Sequence, residues 1–221
     1  EGGRAVNVRI PCAVECWWST RSALVTKYSV VGKRWKLLYS MEGPQYYPEL
    51  RRREADTARA TTSLGSEVPV PYIANIFDLQ RVSDSVFDGG LDRASFIATN
   101  CNSKNGREGL VRGLMKAYPV DALSACLNNV DSKLTKVGNW GDRKMRLLRR
   151  YKFDLAFENQ CEHDYVTEKV WLSLMSGTLP IYYGAPNAKR LVPSNSMLFY
   201  ADFDSNEHLA AHLRHLQSNR T

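Results

Sequence analysis

The chain is predicted to be an α/β protein built on a parallel sheet, and three features of its sequence predict this. Residues 152–157 alternate into an apolar strand, a helix follows through Ser176 with Gly177 placed to end it, and residues 178–183 return as a second strand. A strand, crossover helix and strand of that length form a right-handed βαβ unit. An earlier stretch has the same shape: a strand over 95–99, then a helix over 107–118 that sets Leu110, Val111, Leu114 and Met115 on one face. The 221 residues, 43% hydrophobic and 24% charged, are enough to bury a sizeable core.

In chain order, residues 5–10, 35–41 and 68–73 read as strands. The polar stretch 81–92, with its Gly89-Gly90 pair, is the expected boundary between a domain of residues 1–88 and one of residues 89–221. Past the helix over 107–118, Pro119-Val120-Asp121 opens another extended piece. Asp164 is expected to cap the helix that runs to Ser176. Residues 205–216 form a last amphipathic helix. His208, His212 and His215 lie on it at helical spacing, and they are read as structural because no acidic partner is placed with them.

A net charge of +7 favours anionic partners. The basic clusters Arg51-Arg52-Arg53 and Arg143-Lys144 with Arg146, Arg149 and Arg150 are read as solvated helix faces or loops. No zinc-finger spacing or ribonucleoprotein motif supports nucleic-acid binding. Of five cysteines, Cys12, Cys16, Cys101, Cys126 and Cys161, disulfides in an oxidising compartment would leave one over, with the connectivity open. The sequon Asn219-Arg-Thr221 fits a secretory route. Neither a transmembrane helix nor a signal peptide is expected within this sequence. No bound metal is expected, and Mn2+ or Mg2+ stays open as a stimulator.

The chemistry concentrates in residues 151–169, where a strand stops at a polar turn and passes to a helix with Glu168 beside Lys169. Backbone N–H groups at a helix start are unpaired and suit an anion. At the other junction, Thr99-Asn100 end a strand and Arg107 stands at the next helix start. If the two strands are neighbours, both cations reach one diphosphate, arginine as a bidentate clamp and lysine as a movable charge. With a glutamate to accept hydrogen bonds from hydroxyls, the ligand class is a sugar nucleotide.

Phe157-Glu158-Asn159, Asp164-Tyr-Val-Thr-Glu-Lys169, Ser176-Gly-Thr-Leu-Pro180 and Gly184-Ala-Pro186 closely resemble the signature of the α1,3/4-fucosyltransferase family. The segment from Thr99 to Arg107 resembles that family's second donor-contacting segment. Residues 39–47 and 61–72 look like its acceptor-domain motifs in their plant-type, N-glycan-acting form. The resemblance implies a GT-B fold, two Rossmann-like domains facing across a cleft, here with an abbreviated N-terminal one. It implies GDP-fucose as donor, with residues 89–221 binding it and residues 1–88 on the acceptor side. Arg107 and Lys169 would hold the diphosphate, Glu168 the donor hydroxyls, and Asn159, Tyr165 and Thr99 would line the pocket.

Glu42 takes the place of the family's catalytic carboxylate. It ends a strand-like run before the Gly43-Pro44 turn, and an inverting transfer needs one base to take the proton of the attacking hydroxyl. The acceptor implied is a GlcNAc hydroxyl of an N-glycan, in α1,3 or α1,4 linkage. The implied location is the Golgi lumen, on a type II membrane anchor outside this sequence. Two other readings stay open: a GT-B transferase using another sugar nucleotide, and an inactive nucleotide- or glycan-binding module. The role of Asp154, inside the central strand, is open as well.

Overall fold

A computed structural model of the chain describes residues 15–20, 23–30, 33–72, 84–131 and 140–218. Two compact units divide the chain, Glu1–Val70 and Pro71–Thr221. Within the first, five strands form one sheet in chain order: β1 (Glu15–Thr20), β2 (Ala23–Val30), β3 (Lys33–Ser40), β4 (Thr57–Thr61) and β5 (Val68–Pro69). β1, β2 and β3 are antiparallel neighbours, while β4 joins β3, and β5 joins β4, in parallel. β3 is the strand expected over 35–41. The strand expected over 68–73 shortens to β5, because Pro69 and Pro71 have no N–H to give to a ladder. The strand expected over 5–10 lies outside the described residues.

The second unit is a parallel sheet wound on both sides. Its strands are β6 (Leu91–Phe96), β7 (Val120–Ala122), β8 (Tyr151–Phe157), β9 (Leu179–Tyr183) and β10 (Leu198–Phe199), in the order β10-β9-β8-β6-β7. Every neighbouring pair runs parallel. The helices are α1 (Asp84–Asp88), α2 (Arg107–Ala117), α3 (Trp140–Leu148), α4 (Glu168–Ser176) and α5 (Asn206–Ser218). The chain steps from β6 outward to β7, then returns across β6 to β8. That reversal makes the β6/β8 junction the topological switch point, the place where such sheets bind ligands.

β8 is buried along its whole length, as the central strand of a covered sheet must be. Its Phe153, Leu155 and Phe157 share a core with Val111 and Leu114 of α2 and Leu209 and Leu213 of α5. Ala156 instead packs with Val170 and Trp171 of α4. Successive residues of β8 therefore serve opposite faces, the period-two geometry of a strand.

Four expectations shift. The boundary falls at Val70/Pro71 rather than 88/89, since residues ahead of Gly89 already pack into the second unit. Tyr72 lies edge-on to Tyr165 at 6.4 Å, and Phe87 edge-on to Phe153 at 5.7 Å. Gly90 serves close packing there: a Cβ on it would sit 2.9 Å from Lys152 N. β6 begins at Leu91 and ends at Phe96, earlier than the strand expected over 95–99, because its first residues are polar or exposed. α4 begins at Glu168, and Asp164 is not its cap. Asp164 adopts a left-handed φ of 65° and is tied to Asn187 by hydrogen bonds of 2.8 and 2.9 Å. On α5, His208 does have an acidic neighbour, with Nδ1 3.8 Å from Asp204 Oδ2 on the exposed surface.

Candidate functional site

Beyond the carboxyl ends of β6, β7 and β8 lies a cavity of about 300 Å3, at the small end of the range for ligand pockets. Five of the residues singled out from the sequence border it: Thr99, Arg107, Asn159, Glu168 and Lys169. β6 and β8 are hydrogen-bonded neighbours, so the two junctions adjoin. Hydrogen bonds from Lys104 N to Asn159 O (2.9 Å) and from Asn105 Nδ2 to Glu158 O (3.0 Å) tie their loops together. The loops after β6 and β7 are joined by the Cys101–Cys126 disulfide, and Thr99 Oγ1 lies 3.3 Å from Ser124 Oγ. Cys161 is not part of that bridge.

The late start of α4 sharpens this site. With Thr167 at the N-cap, Glu168 and Lys169 become the first two helical residues, where the helix end is most positive. The fully buried Glu158, unassigned from the sequence, organises this end. Its Oε1 accepts the Thr167 N–H at 2.8 Å, and its Oε2 accepts from Thr167 Oγ1 at 2.8 Å and Lys169 Nζ at 2.9 Å. Lys169 also donates to Thr167 Oγ1 at 2.8 Å. The lysine is therefore pinned, not the movable charge expected. Burial pushes its pKa down, but Glu158 and Glu168 outweigh burial and hold it above the ordinary value. Gly184 leaves room for this: a Cβ there would come 2.6 Å from Glu158 Cγ and 2.5 Å from Tyr182 Oη.

Arg107 opens α2 after Gly106, which takes a left-handed φ of 67°. It is buried at the cavity wall, donating to the carbonyls of Phe157 (2.8 Å) and Asn100 (2.9 Å). Its guanidinium thus staples the ends of β6 and β8 while bringing positive charge to the cavity. Asn159 Oδ1 is buried, with no hydrogen-bond partner among the described residues. Such an acceptor costs free energy until a donor arrives, and a ligand hydroxyl or N–H meets that need.

Two residues singled out from the sequence lie elsewhere. Tyr165 does not border the cavity; it is buried against Tyr72, and its carbonyl accepts from Tyr182 Oη at 3.2 Å. Glu42 belongs to the other unit. It follows β3 in a turn where its N–H donates to Ser40 Oγ at 3.1 Å.

Sequence reasoning missed α3 and what it brings. Arg143 and Lys144 were read as solvated, yet both border the cavity and Lys144 is 4% exposed. Burial pulls the Lys144 pKa down, only partly offset by Glu168 and Asp154. Asp154 is buried beneath, accepting from Ser95 Oγ and Ser173 Oγ at 2.7 Å each, and burial pushes its carboxyl up. Burial also pushes Glu168 up, but Lys169 and Lys144 take it below the ordinary carboxylate range. Four cations, Arg107, Arg143, Lys144 and Lys169, thus face one ionised carboxylate around the cavity. Among the described residues, no cluster of three or more His, Cys, Asp or Glu is placed to hold a metal ion.

The model of the C-terminal part of glycosyltransferase family 10 (fucosyltransferase) matches residues 92–221, the stretch that builds this cavity. The chain belongs to that family. Among its relatives, a "Putative fucosyltransferase-like protein" of Arabidopsis thaliana is 35% identical over 94% of the chain and 41% of its own length. "GDP-fucose protein O-fucosyltransferase 3" of Xenopus laevis is 36% identical over 59% of the chain and 29% of its own length. A solved structure, "Crystal Structure of alpha1,3-Fucosyltransferase with GDP-fucose", superposes with a TM-score of 0.51 at 28% identity, over 61% of this chain and 37% of that one. The chain therefore spans less than half the length of each of these relatives.

Proposed function

We propose that this family 10 chain binds GDP-fucose in the cavity beyond β6 and β8 and transfers the fucose, with inversion, to an acceptor hydroxyl. The observation that carries the reading is the convergence of Arg107, Lys169 and Glu168 at two helix starts beyond adjacent strand ends. Helix N-termini and cations suit a diphosphate, and they stabilise the charge that builds on it as it leaves. Glu168, kept ionised by its lysines, accepts hydrogen bonds from fucose hydroxyls, and Asn159 Oδ1 accepts one from the sugar or the ribose.

In the reaction, the acceptor oxygen forms a bond to the fucose anomeric carbon as the bond from that carbon to the GDP oxygen breaks. GDP departs as an anion and needs no proton. The proton of the acceptor hydroxyl passes to Glu42, the proposed general base. No step requires a metal, and Mn2+ or Mg2+ would act only as a stimulator. A lumenal, oxidising location such as the Golgi fits the Cys101–Cys126 bridge.

A GlcNAc hydroxyl of an N-glycan is the acceptor favoured by the motifs at 39–47 and 61–72. A serine or threonine hydroxyl of a protein is a second reading, supported by the likeness to the protein O-fucosyltransferase of Xenopus laevis. The test is GDP release from GDP-fucose with a panel of N-glycans and folded protein acceptors, followed by linkage analysis of the product. Fucose on GlcNAc is the expected outcome, and fucose on serine or threonine replaces the first acceptor by the second. GDP binding without transfer to any acceptor would make the chain a binding module.

A further inference from the structure

One oxygen of Glu168, Oε1, lies 3.7 Å from Lys144 Nζ and 3.7 Å from Lys169 Nζ. Two ammonium groups, one from α3 and one from α4, thus converge on a single anionic oxygen at the cavity wall. Lys169 has a second anchor in Glu158, at 2.9 Å, and that pair leaves little of its charge to spare. Lys144 borders the same cavity and is buried at its wall.

We propose that Lys144 is a further cation for the donor's diphosphate, and that Glu168 occupies the phosphate position until the donor arrives. On binding, a phosphate oxygen takes the place of Oε1 between the two lysines, and Glu168 turns to the hydroxyls of the sugar. The same carboxylate thereby holds the cations together in the empty site and recognises the sugar in the filled one. This rests on the GDP-sugar reading of the cavity.

The charged groups facing Lys144 are Glu168 and Lys169 from α4, Asp154 within β8 and Glu158 just past its end. Burial lowers its pKa and the neighbouring Lys169 adds to that. A diphosphate brings more negative charge than the single carboxylate it displaces, so it draws a proton onto Lys144. Binding is then accompanied by proton uptake in the pH window between the lowered Lys144 pKa of the empty site and its higher value in the filled one.

The test is calorimetric titration of GDP, and separately of inorganic pyrophosphate, in two buffers of different ionisation enthalpy. Wild type, Lys144→Met and Lys144→Arg are compared, with thermal melts to confirm folding. Lys144→Met is expected to weaken both ligands about 10–100-fold, the range for a charge-assisted hydrogen bond. Lys144→Arg, always charged, is expected to bind within a few-fold of wild type but to lose the proton uptake. Wild-type affinity for both ligands in Lys144→Met overturns the proposal. So does proton uptake that persists in Lys144→Arg. Wild-type protein that binds pyrophosphate but not GDP sinks the donor reading instead, and the pyrophosphate titrations then decide the lysine by themselves.

Discussion

Lys169 owes its position to a buried carboxylate, Glu158, which accepts from its ammonium group at 2.9 Å. Glu158 is fully buried and its partners are Lys169 and the backbone and hydroxyl of Thr167. Lys169→Ala is therefore expected to do two things at once: weaken GDP binding and destabilise the fold by about 3–5 kcal/mol, the cost of leaving a buried charge without its partner. Calorimetry and chemical denaturation measure the two separately, and an unchanged GDP dissociation constant would refute the phosphate role. Glu42 is expected to behave differently. Glu42→Gln should reduce turnover about 10²–10⁴-fold, as for loss of a general base, with GDP affinity retained. Single-turnover rates beside a GDP titration separate those effects, and wild-type turnover would remove Glu42 from the mechanism. At this scale the sequence displayed the cations near helix starts but not their partners. Glu158 sits inside the motif between Phe157 and Asn159, and nothing local says that its side chain turns back beneath α4. Lys144 stayed hidden because a run of basic residues reads as a solvated face until a neighbouring helix covers part of it.

Among the elements, the β8–α4–β9 unit was legible almost residue by residue, since it combines a continuous apolar strand, a left-handed Gly177 at 73° and a second strand. What the pattern misplaced was the helix start. Asp164 is a good capping residue by type, but it is held in a loop by Asn187, a partner 23 positions away. β6 was misplaced for a related reason: its first half is exposed and polar, and only pairing with β8 and β7 makes it a strand. Gly184, after β9, shows how an element's end serves the site. Gly184→Ala would drive a methyl into Glu158 and Tyr182, at a cost of about 1–3 kcal/mol for overpacking, and would loosen the hold on Lys169. The expected result is a lower melting temperature together with weaker GDP binding. Gly109→Ala is the control. Its Cβ meets nothing within 4 Å, so it should stabilise α2 by about 0.5–1 kcal/mol. Equal behaviour of the two variants would mean that Gly184 has no such packing role.

For the molecule as a whole, the α/β class and the parallel sheet of the second unit follow from chain order alone, because strand–helix–strand units admit few topologies. The first unit was harder to read. Its sheet pairs β1, β2 and β3 antiparallel and then adds β4 and β5 in parallel, a mixture that no single period announces. The division at Val70/Pro71 carries its own expectation: residues 71–221, expressed alone, should bind GDP as tightly as the full chain while transferring no fucose. Titration of that fragment checks the first part and GDP release from GDP-fucose the second. Loss of GDP affinity in a folded fragment would show that the first unit contributes to the donor site.

Every described residue bordering the cavity lies between positions 97 and 169, because the switch point gathers the ends of β6, β7 and β8. The cavity is therefore heritable as a block. A recombination break at Val70/Pro71 carries the entire pocket, with its Cys101–Cys126 clasp, into the new protein, while a break between α2 and α4 destroys it. On the proposed function, partner sequences exchanged ahead of residue 71 would change the acceptor and leave the donor pocket untouched.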